Sequence, residues 1–482
     1  MESVSSNPSS KSLWIFGSAW IVRHWIFPLW ARRDHPSYRH YIEELERTQF
    51  ATPSTLAGLQ LERLRKLLRH ARQNCPFYRR RLDQVGFDVE KLRSVDELSA
   101  LPVVTKRDIQ EYGKEMEALN FPEMLRLRNQ TGGSTGSPLQ FYVDKERYGS
   151  RLASTVRHNR WAGLRSGDWH AVLWGSRLDQ GGVQGWRDRL RNTFLYRSIL
   201  LNTACIQERD WIEFIGKLRA KRPRVLLAYA QAAVLFGRYL LKNRIEDIQF
   251  DAIITTAEGL LPGQREFLEQ AFGGRVFNRY GCREMSVIAS ECEFHRGMHV
   301  GAESFVVEIV PHETVPKPAG KVVITDLLNY SMPLIRYEIG DVAAWAEDQN
   351  CACGRHLPML TEVQGRTTDF LVLSDGRHIS GPALTLVVAD MPQVRQVQFV
   401  QKAFDRFVLR VVPGLGYGPQ TADELRRRLG AYLGSPTVLE IEETRSIVSE
   451  TSGKYRFAIN EVTAHNAPAS ASGQAEARLA RR

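Results

Sequence analysis

The sequence lacks any uninterrupted apolar run of about 20 residues, the length that a membrane-spanning helix needs. Its most aromatic stretch, residues 13–30 (LWIFGSAWIVRHWIFPLW), is broken by Arg23 and His24 and carries Pro28. No small-residue cleavage site follows, so this stretch does not read as a secretory leader either. Cysteine is scarce, with six in 482 residues, which excludes a disulfide scaffold and points to a reducing, cytoplasmic compartment. Lysine is scarce too, 13 against 52 arginines. The net charge of +11 is spread along the chain rather than gathered in a stripe. No helix-turn-helix or zinc-finger spacing is present, and aromatic residues do not interleave with a basic strand face. These absences argue against a nucleic-acid-binding protein. There is no internal repeat.

What is present supports a globular chain. With 43% hydrophobic residues a core can form, and the length calls for two or three domains at about 100–200 residues each. Residues 56–74 repeat apolar side chains at three and four, as an amphipathic helix does. Residues 60–81 hold eight Lys/Arg against one Glu, which is either a solvated face or a patch for an anionic substrate. Helix-like stretches at 145–160, 207–219, 230–243 and 262–272 alternate with the β-branched runs AVLW, RVLLAY, FDAIITTA and RVFNRYG. That alternation predicts an α/β domain with a substantial sheet.

FVVEIV and KVVITDLL predict a β-rich subdomain near 300–345. From residue 369 a hairpin turning on Asp375-Gly376, two strands, a helix and a strand predict a small α+β module. The expected divisions are an aromatic, basic extension (1–40), a large domain (41–368), the small module (369–463) and a disordered tail (464–482). Segment 13–30 reads as a helix packed on the body, or as an interfacial helix with its Trp rings at lipid headgroups, which makes it a candidate for peripheral membrane contact.

Five motifs carry chemistry. TGGSTGSP at 131–138 packs three glycines and four hydroxyls into eight residues, so its backbone N–H groups can wrap a phosphate. It lacks the Gly-Lys-Ser/Thr ending of the kinase and GTPase loop, and taken alone it also reads as a flexible surface loop. In NRYGCREMS (278–286) a strand ends at Tyr280-Gly281. Glu284, read here at a helix start, either holds Mg²⁺ against phosphates or complements the helix dipole, while Tyr280 is placed to stack on a base. In MPLIRYEIGDVA (332–343), Asp341 after Gly340 either caps a turn or accepts the two hydroxyls of a ribose. VQGRTTDFLVL (363–373) and SGKYRF (452–457) complete the set.

In this order and spacing the five motifs resemble the adenylate-forming superfamily. Within it they resemble the phenylacetate–CoA ligase family, including its capsule-biosynthesis-associated relatives. The resemblance covers about residues 70–463. It implies a large N-terminal domain with a β-rich subdomain and a small mobile C-terminal domain. It also implies ATP, Mg²⁺ and coenzyme A as cofactors, and a carboxylic acid, aromatic in this family, as substrate. An adenylyltransferase or an acyl-activating enzyme of polysaccharide biosynthesis is the nearest variant.

Carried over residue by residue, Thr131, Gly132, Gly133, Ser134, Thr135 and Gly136 would clasp the β/γ-phosphates. Ala257, Glu258 and Gly259 would line the adenine site beside Tyr280 and Gly281. Glu284 would bind Mg²⁺, Asp341 would hold the ribose with Arg366 nearby, Asp369 would serve as hinge, and Lys454 would bridge the carboxylate and the α-phosphate. The chain departs from the family where Ala257-Glu258-Gly259 stands in place of Ser-Glu-Pro. A homodimer is a candidate assembly.

Cys351-Ala352-Cys353 lies some fifty residues after Cys292 and its neighbours His295 and His299. Two cysteines two apart can both reach one tetrahedral Zn²⁺, and Cys292 with His299 or His295 would complete a Cys₃His set. With all four positions filled by protein, such a zinc would be structural. The other reading is a set of free thiols packed under a hairpin. Relatives in the family carry zinc at matching positions, as the resemblance has it.

Overall fold

A computed structural model describes residues 18–130, 139–174, 186–203, 208–260, 263–313, 315, 317–361, 363, 365–366, 370–373, 378–380, 388, 391, 393–434, 437–447 and 457–462. The glycine-rich loop 131–138, Asp369, the turn at Asp375-Gly376, Lys454 and the tail from 464 lie outside the described residues. The described chain divides into two compact units, one running to Gly365 and one starting at Arg366.

The first unit opens with helices. α1 spans 18–34, followed by α2 (Tyr38–Thr48), α3 (Pro53–Asn74), α4 (Pro76–Gln84) and α5 (Lys106–Met116). Their starts are written in the sequence. The Thr52 hydroxyl accepts from the Thr55 N–H ahead of α3 with Pro at its first position, and Thr105 with Asp108 forms a reciprocal capping box on α5. Leu64, Leu67, Leu68 and Ala71 make the buried stripe of α3. Five of the eight basic residues at 60–81 are tied down locally, as the ion pairs Arg63–Glu44, Arg69–Glu90, Arg72–Asp83, Arg80–Glu115 and Arg81–Asp108. The cluster is thus largely neutralised by neighbours from other elements, which removes the case for an anion patch.

Strands β1 (Arg126–Gln130) and β2 (Gln140–Asp144) pair antiparallel, Gln130 facing Gln140 across the mouth of the glycine-rich loop. Asp144 then caps helix α6 (Lys145–Trp161), accepting from the Arg147 N–H at 2.6 Å. The main sheet follows: β3 (His170–Trp174), β4 (Ser198–Asn202), β5 (Val225–Tyr229), β6 (Ala252–Thr256), β7 (Arg275–Cys282), β8 (Ser286–Glu291), β9 (Met298–Val300) and β13 (Met359–Leu360). Its order is β13-β9-β8-β7-β6-β5-β3-β4. The β4-β3-β5-β6-β7 half is parallel, with every strand of the β7-β8-β9-β13 end antiparallel to its neighbour.

Helices α7 (Trp186–Arg191), α8 (Glu208–Lys221), α9 (Ala230–Lys242) and α10 (Gln264–Phe272) accompany the parallel half. Trp211 of α8 stacks on Phe236 of α9 with ring centroids 5.0 Å apart, and both join a core with Phe272, Ile253 and Val276. The β-branched runs read from the sequence supply this core because a parallel sheet is covered on both faces. A separate antiparallel sheet holds β10 (Phe305–Val310), β11 (Gly320–Asp326) and β12 (Tyr337–Ala343). β14 is the two-residue strand Gly365–Arg366.

In the second unit, β15 (Phe370–Val372) and β16 (His378–Ser380) form the expected hairpin. β17 (Val394–Ala403), β18 (Arg406–Pro413), helix α11 (Pro419–Leu433) and β19 (Val438–Glu443) follow, and β20 (Ala458–Asn460) returns parallel to β17. Phe399, Phe407, Leu409, Leu425 and Leu429 fill this unit's own core.

Candidate functional site

Register brings the candidate site together. Thr255 of β6 stands beside Asn278 of β7, so the residues that follow, Ala257-Glu258-Gly259 and Tyr280-Gly281, emerge at the same carboxyl end of the parallel sheet. Ligands of open α/β sheets bind there. Ala257 takes a left-handed conformation, φ +68°. For a residue with a Cβ this stores strain of about 1–3 kcal/mol, of the kind that collects at ligand clamps. Glu258 turns its carboxylate onto the start of α9, where Oε2 accepts from the Gln231 N–H at 3.0 Å. A negative charge at a helix N-terminus is favourable, so the loop after β6 is anchored to the helix that follows β5.

Glu284 corrects the sequence reading. It is not at a helix start but at the centre of a three-residue hairpin loop, 283–285, between β7 and β8, with Cys282 facing Ser286. Ser286 holds φ +70° at the far side of that loop, as the bulge of a three-residue hairpin requires. Gly281 is dictated by space, since a Cβ there would meet the Ser286 carbonyl oxygen at 2.3 Å. Backbone carbonyls of the loop are held from below by buried arginines of α6. Arg151 donates to the carbonyl oxygens of Arg283 and Glu284, and Arg147, itself paired with Asp326 at 2.9 Å, donates to that of Met285.

Asp341 also differs from expectation. It lies inside β12 rather than in a tight turn, one residue after Gly340, whose φ of +86° bends the strand. Two tyrosines tie the acids into one constellation. Tyr280 donates its hydroxyl to Asp341 Oδ2 at 2.8 Å, and Tyr337 of β12 donates to Glu284 Oε1 at 3.3 Å. Burial first, then Asp341, pushes the Tyr280 hydroxyl well above the usual phenol value. Burial first, then Glu284, does the same to Tyr337. Both phenols therefore remain protonated donors.

The structure thus gathers Ala257, Glu258, Gly259, Tyr280, Gly281, Glu284 and Asp341 at one end of the first unit. Arg366 falls in β14, while Thr131 to Gly136 and Lys454 lie outside the described residues. Sequence reading missed Tyr337 and Arg151. Tyr337 was signalled by its position four residues before Asp341 on one strand, which places both on one face. Arg151 gave no signal.

The second cluster is Cys292, His299, Cys351 and Cys353. Their ligand atoms all lie within 4.8 Å of one another. Cys292 Sγ is 3.6 Å from Cys351 Sγ, and Cys353 Sγ is 3.4 Å from His299 Nε2. A tetrahedral zinc with Zn–S near 2.3 Å sets sulfur–sulfur edges of about 3.8 Å, so the donor set fits. His299 Nδ1 meets the Leu357 carbonyl oxygen at 3.2 Å, an arrangement that leaves Nε2 for a metal. His295 is turned away, its Nδ1 on Glu291 at 3.1 Å and its ring against Phe277. Of the two histidines the sequence left open, the geometry selects His299.

Residues 371–461 match the model of the CapK C-terminal domain. Phenylacetate-coenzyme A ligase of Thermus thermophilus is 27% identical over 351 residues, covering 70% of this chain and 76% of that protein. Protein CapK of Staphylococcus aureus is 23% identical over 434 residues, covering 88% of this chain and 93% of its own. Among solved structures, 2-hydroxyisobutyryl-CoA ligase in the postadenylation state in complex with R3-HIB-AMP superposes with a TM-score of 0.70 at 21% identity, over 96% of this chain and 95% of the other. The fold is that of the adenylate-forming CoA ligases. In sequence the chain is similar to the phenylacetate–CoA ligases and to CapK.

Proposed function

We propose that the protein activates a carboxylic acid with ATP and then passes the acyl group to coenzyme A. In the first step a carboxylate oxygen attacks the α-phosphorus and pyrophosphate leaves. In the second, the thiol sulfur attacks the acyl carbon and AMP leaves. The observation that carries this reading is the joining of Glu284 and Asp341, through Tyr337 and Tyr280, at the carboxyl end of the parallel sheet.

Asp341, its carboxylate oriented by Tyr280, accepts the ribose hydroxyls. Ala257 to Gly259, fixed through Glu258 to α9, flank the base together with Tyr280. The glycine-rich residues Thr131 to Gly136 wrap the phosphates, and Arg366 contributes to nucleotide binding, as the resemblance implies. Lys454 stabilises charge as the carboxylate attacks. The Glu284 carboxylate is a hard oxygen donor of the kind Mg²⁺ takes, and Mg²⁺ when bound supplies positive charge against the triphosphate. The Cys₃His cluster holds a structural zinc. Dependence on ATP and coenzyme A, together with cysteines that form no disulfide among the described residues, supports a cytoplasmic location.

Pyrophosphate exchange across a panel of aryl, fatty and hydroxy acids tests the reading. Carboxylate-dependent exchange with at least one acid is expected. Release of ADP and phosphate alone, or no turnover with any acid, overturns it. The match of residues 371–461 to the CapK C-terminal domain favours a second reading, in which the same adenylate is passed to an acceptor other than coenzyme A during polysaccharide assembly. Exchange without thioester formation would select that variant.

A further inference from the structure

Helix α1 has two unlike faces. Its inner face is locked down: Val22 and Ala31 are buried, and Arg23 pairs with Asp168 at 2.6 Å. The backbone of Gly167 comes so close that a Cβ there would meet the Ala19 carbonyl oxygen at 2.7 Å. Its outer face is Trp20, Ile21, Trp25 and Leu29 at helical spacing, all exposed, with Trp25 at 62%. The neighbouring α7 and the π-helical turn Asn192–Tyr196 continue this surface with exposed Trp186 (69%), Leu190 and Phe194. Trp30 meets Tyr196 edge-on at 5.9 Å where the two segments touch.

Anchored from behind and apolar in front, this face is more than scattered surface hydrophobics. Residues 18–35 and 186–197 carry seven arginines against two aspartates. Of the arginines, Arg32, Arg33, Arg187, Arg189 and Arg191 are exposed. Asp34 is spent on Arg33 at 2.7 Å, and Arg187 lies 5.4 Å over the Trp186 ring.

We propose that the α1/α7 face docks the protein on the surface of a bilayer containing anionic phospholipid. Charge complementarity chooses this occupant over a second copy of the chain. A two-fold interface would set the patch against itself and bring arginine rims together, whereas phosphate-bearing headgroups neutralise them. Trp rings with an apolar body and one N–H donor suit the headgroup boundary, and an amphipathic helix lying in that plane buries one face only. No helix among the described residues is long and apolar enough to cross a membrane, so the contact is peripheral.

The test is co-sedimentation of the full chain with vesicles of phosphatidylcholine alone, and with vesicles in which about a third of the lipid is phosphatidylglycerol. Binding to the anionic vesicles only, weakened by salt, is expected. Replacing exposed arginines, Arg189→Glu with Arg191→Glu, should weaken it about fivefold or more per residue. Trp20→Ser with Trp25→Ser should weaken it tenfold or more, with an unchanged melting temperature showing that the fold survives. Failure to sediment with either vesicle, or binding indifferent to both pairs of substitutions, overturns the proposal. A lipid-free dimer that the Trp substitutions dissociate overturns it in favour of a second copy.

Discussion

Tyr280 on the main sheet donates its hydroxyl to Asp341 on the antiparallel sheet at 2.8 Å. With the Tyr337–Glu284 hydrogen bond, this contact couples the main sheet to the β10-β11-β12 sheet at the proposed nucleotide site. Tyr280→Phe keeps the ring and removes the donor. A hydrogen bond to a charged group is worth about 1.5–3 kcal/mol, so the KM for ATP should rise roughly tenfold or more. An ATP titration of pyrophosphate exchange, read beside the melting temperature, separates lost orientation from lost fold.

Glu284 and Tyr337 form the matching pair. Glu284→Gln keeps the size and removes the charge, so the Mg²⁺ concentration for half-maximal activity should rise at least tenfold. Tyr337→Phe should give a smaller shift in the same direction. If Glu284→Gln leaves the Mg²⁺ dependence unchanged, the carboxylate is not a metal ligand and serves only to shape the hairpin loop.

Folded protein should contain about one zinc per chain. Structural zinc binds small peptides with roughly 10–16 kcal/mol, so Cys351→Ala and His299→Ala should each lower both zinc content and melting temperature. His295→Ala should leave zinc content intact. Elemental analysis of protein never exposed to chelator decides the matter, and equal losses from His295→Ala and His299→Ala would reject the selection of His299.

Lys454→Ala should slow adenylate formation by roughly 10²–10³-fold, the range found when one donor to developing charge is removed. Thioester formation from supplied acyl-adenylate should change little. Equal slowing of both half-reactions, or of neither, would dismiss the role given to this lysine.

Alkaline pH gives a test of burial. Tyr280, Tyr337 and Tyr78 are all raised from the ordinary 10.0, in each case by burial first. The unfolded chain ionises these phenols before the folded chain does, so their contribution is full below pH 10 and lost as pH climbs beyond it. Tyrosinate absorbance should therefore appear in two stages, exposed tyrosines first and the buried ones together with unfolding. A single smooth titration of all tyrosines would contradict this.

The helices and parallel strands were legible because their signals are local. β-branched runs, a Pro at the first position of α3 and Thr105 with Asp108 each act within a few residues. Glu284 was misread as a helix start because Tyr-Gly-Cys-Arg-Glu looks like a strand ending. The strand in fact continues through Cys282 and doubles back, and the sharp turn depends on Ser286 in a conformation usually left to glycine. The tight turn expected at Asp341 is absent for a related reason, since Gly340 bends β12 without ending it. β20 is short and pairs with a strand nearly sixty residues away, so nothing local announces it. The Cys/His cluster was named from spacing, but choosing between His295 and His299 needed the position of the Leu357 carbonyl, which no spacing carries. Arg151 reaches Glu284 across 133 residues of sequence, and helical periodicity cannot reveal that.

The main sheet terminates in β9 and β13, three and two residues long, beside the Cys292, His299, Cys351 and Cys353 cluster. Unpaired sheet edges recruit strands from other molecules unless they are kept short or covered. Here the outermost strand is covered by its own chain, Leu360 bridging to Trp345 and the Met359 carbonyl oxygen accepting from the Ala346 N–H, and a metal holding Cys351 and Cys353 in the intervening segment would keep that cover in place. Loss of a metal there would loosen that cover and open the edge to intermolecular pairing, so the metal-free protein should be lost to aggregates at temperatures where its remaining core is still folded.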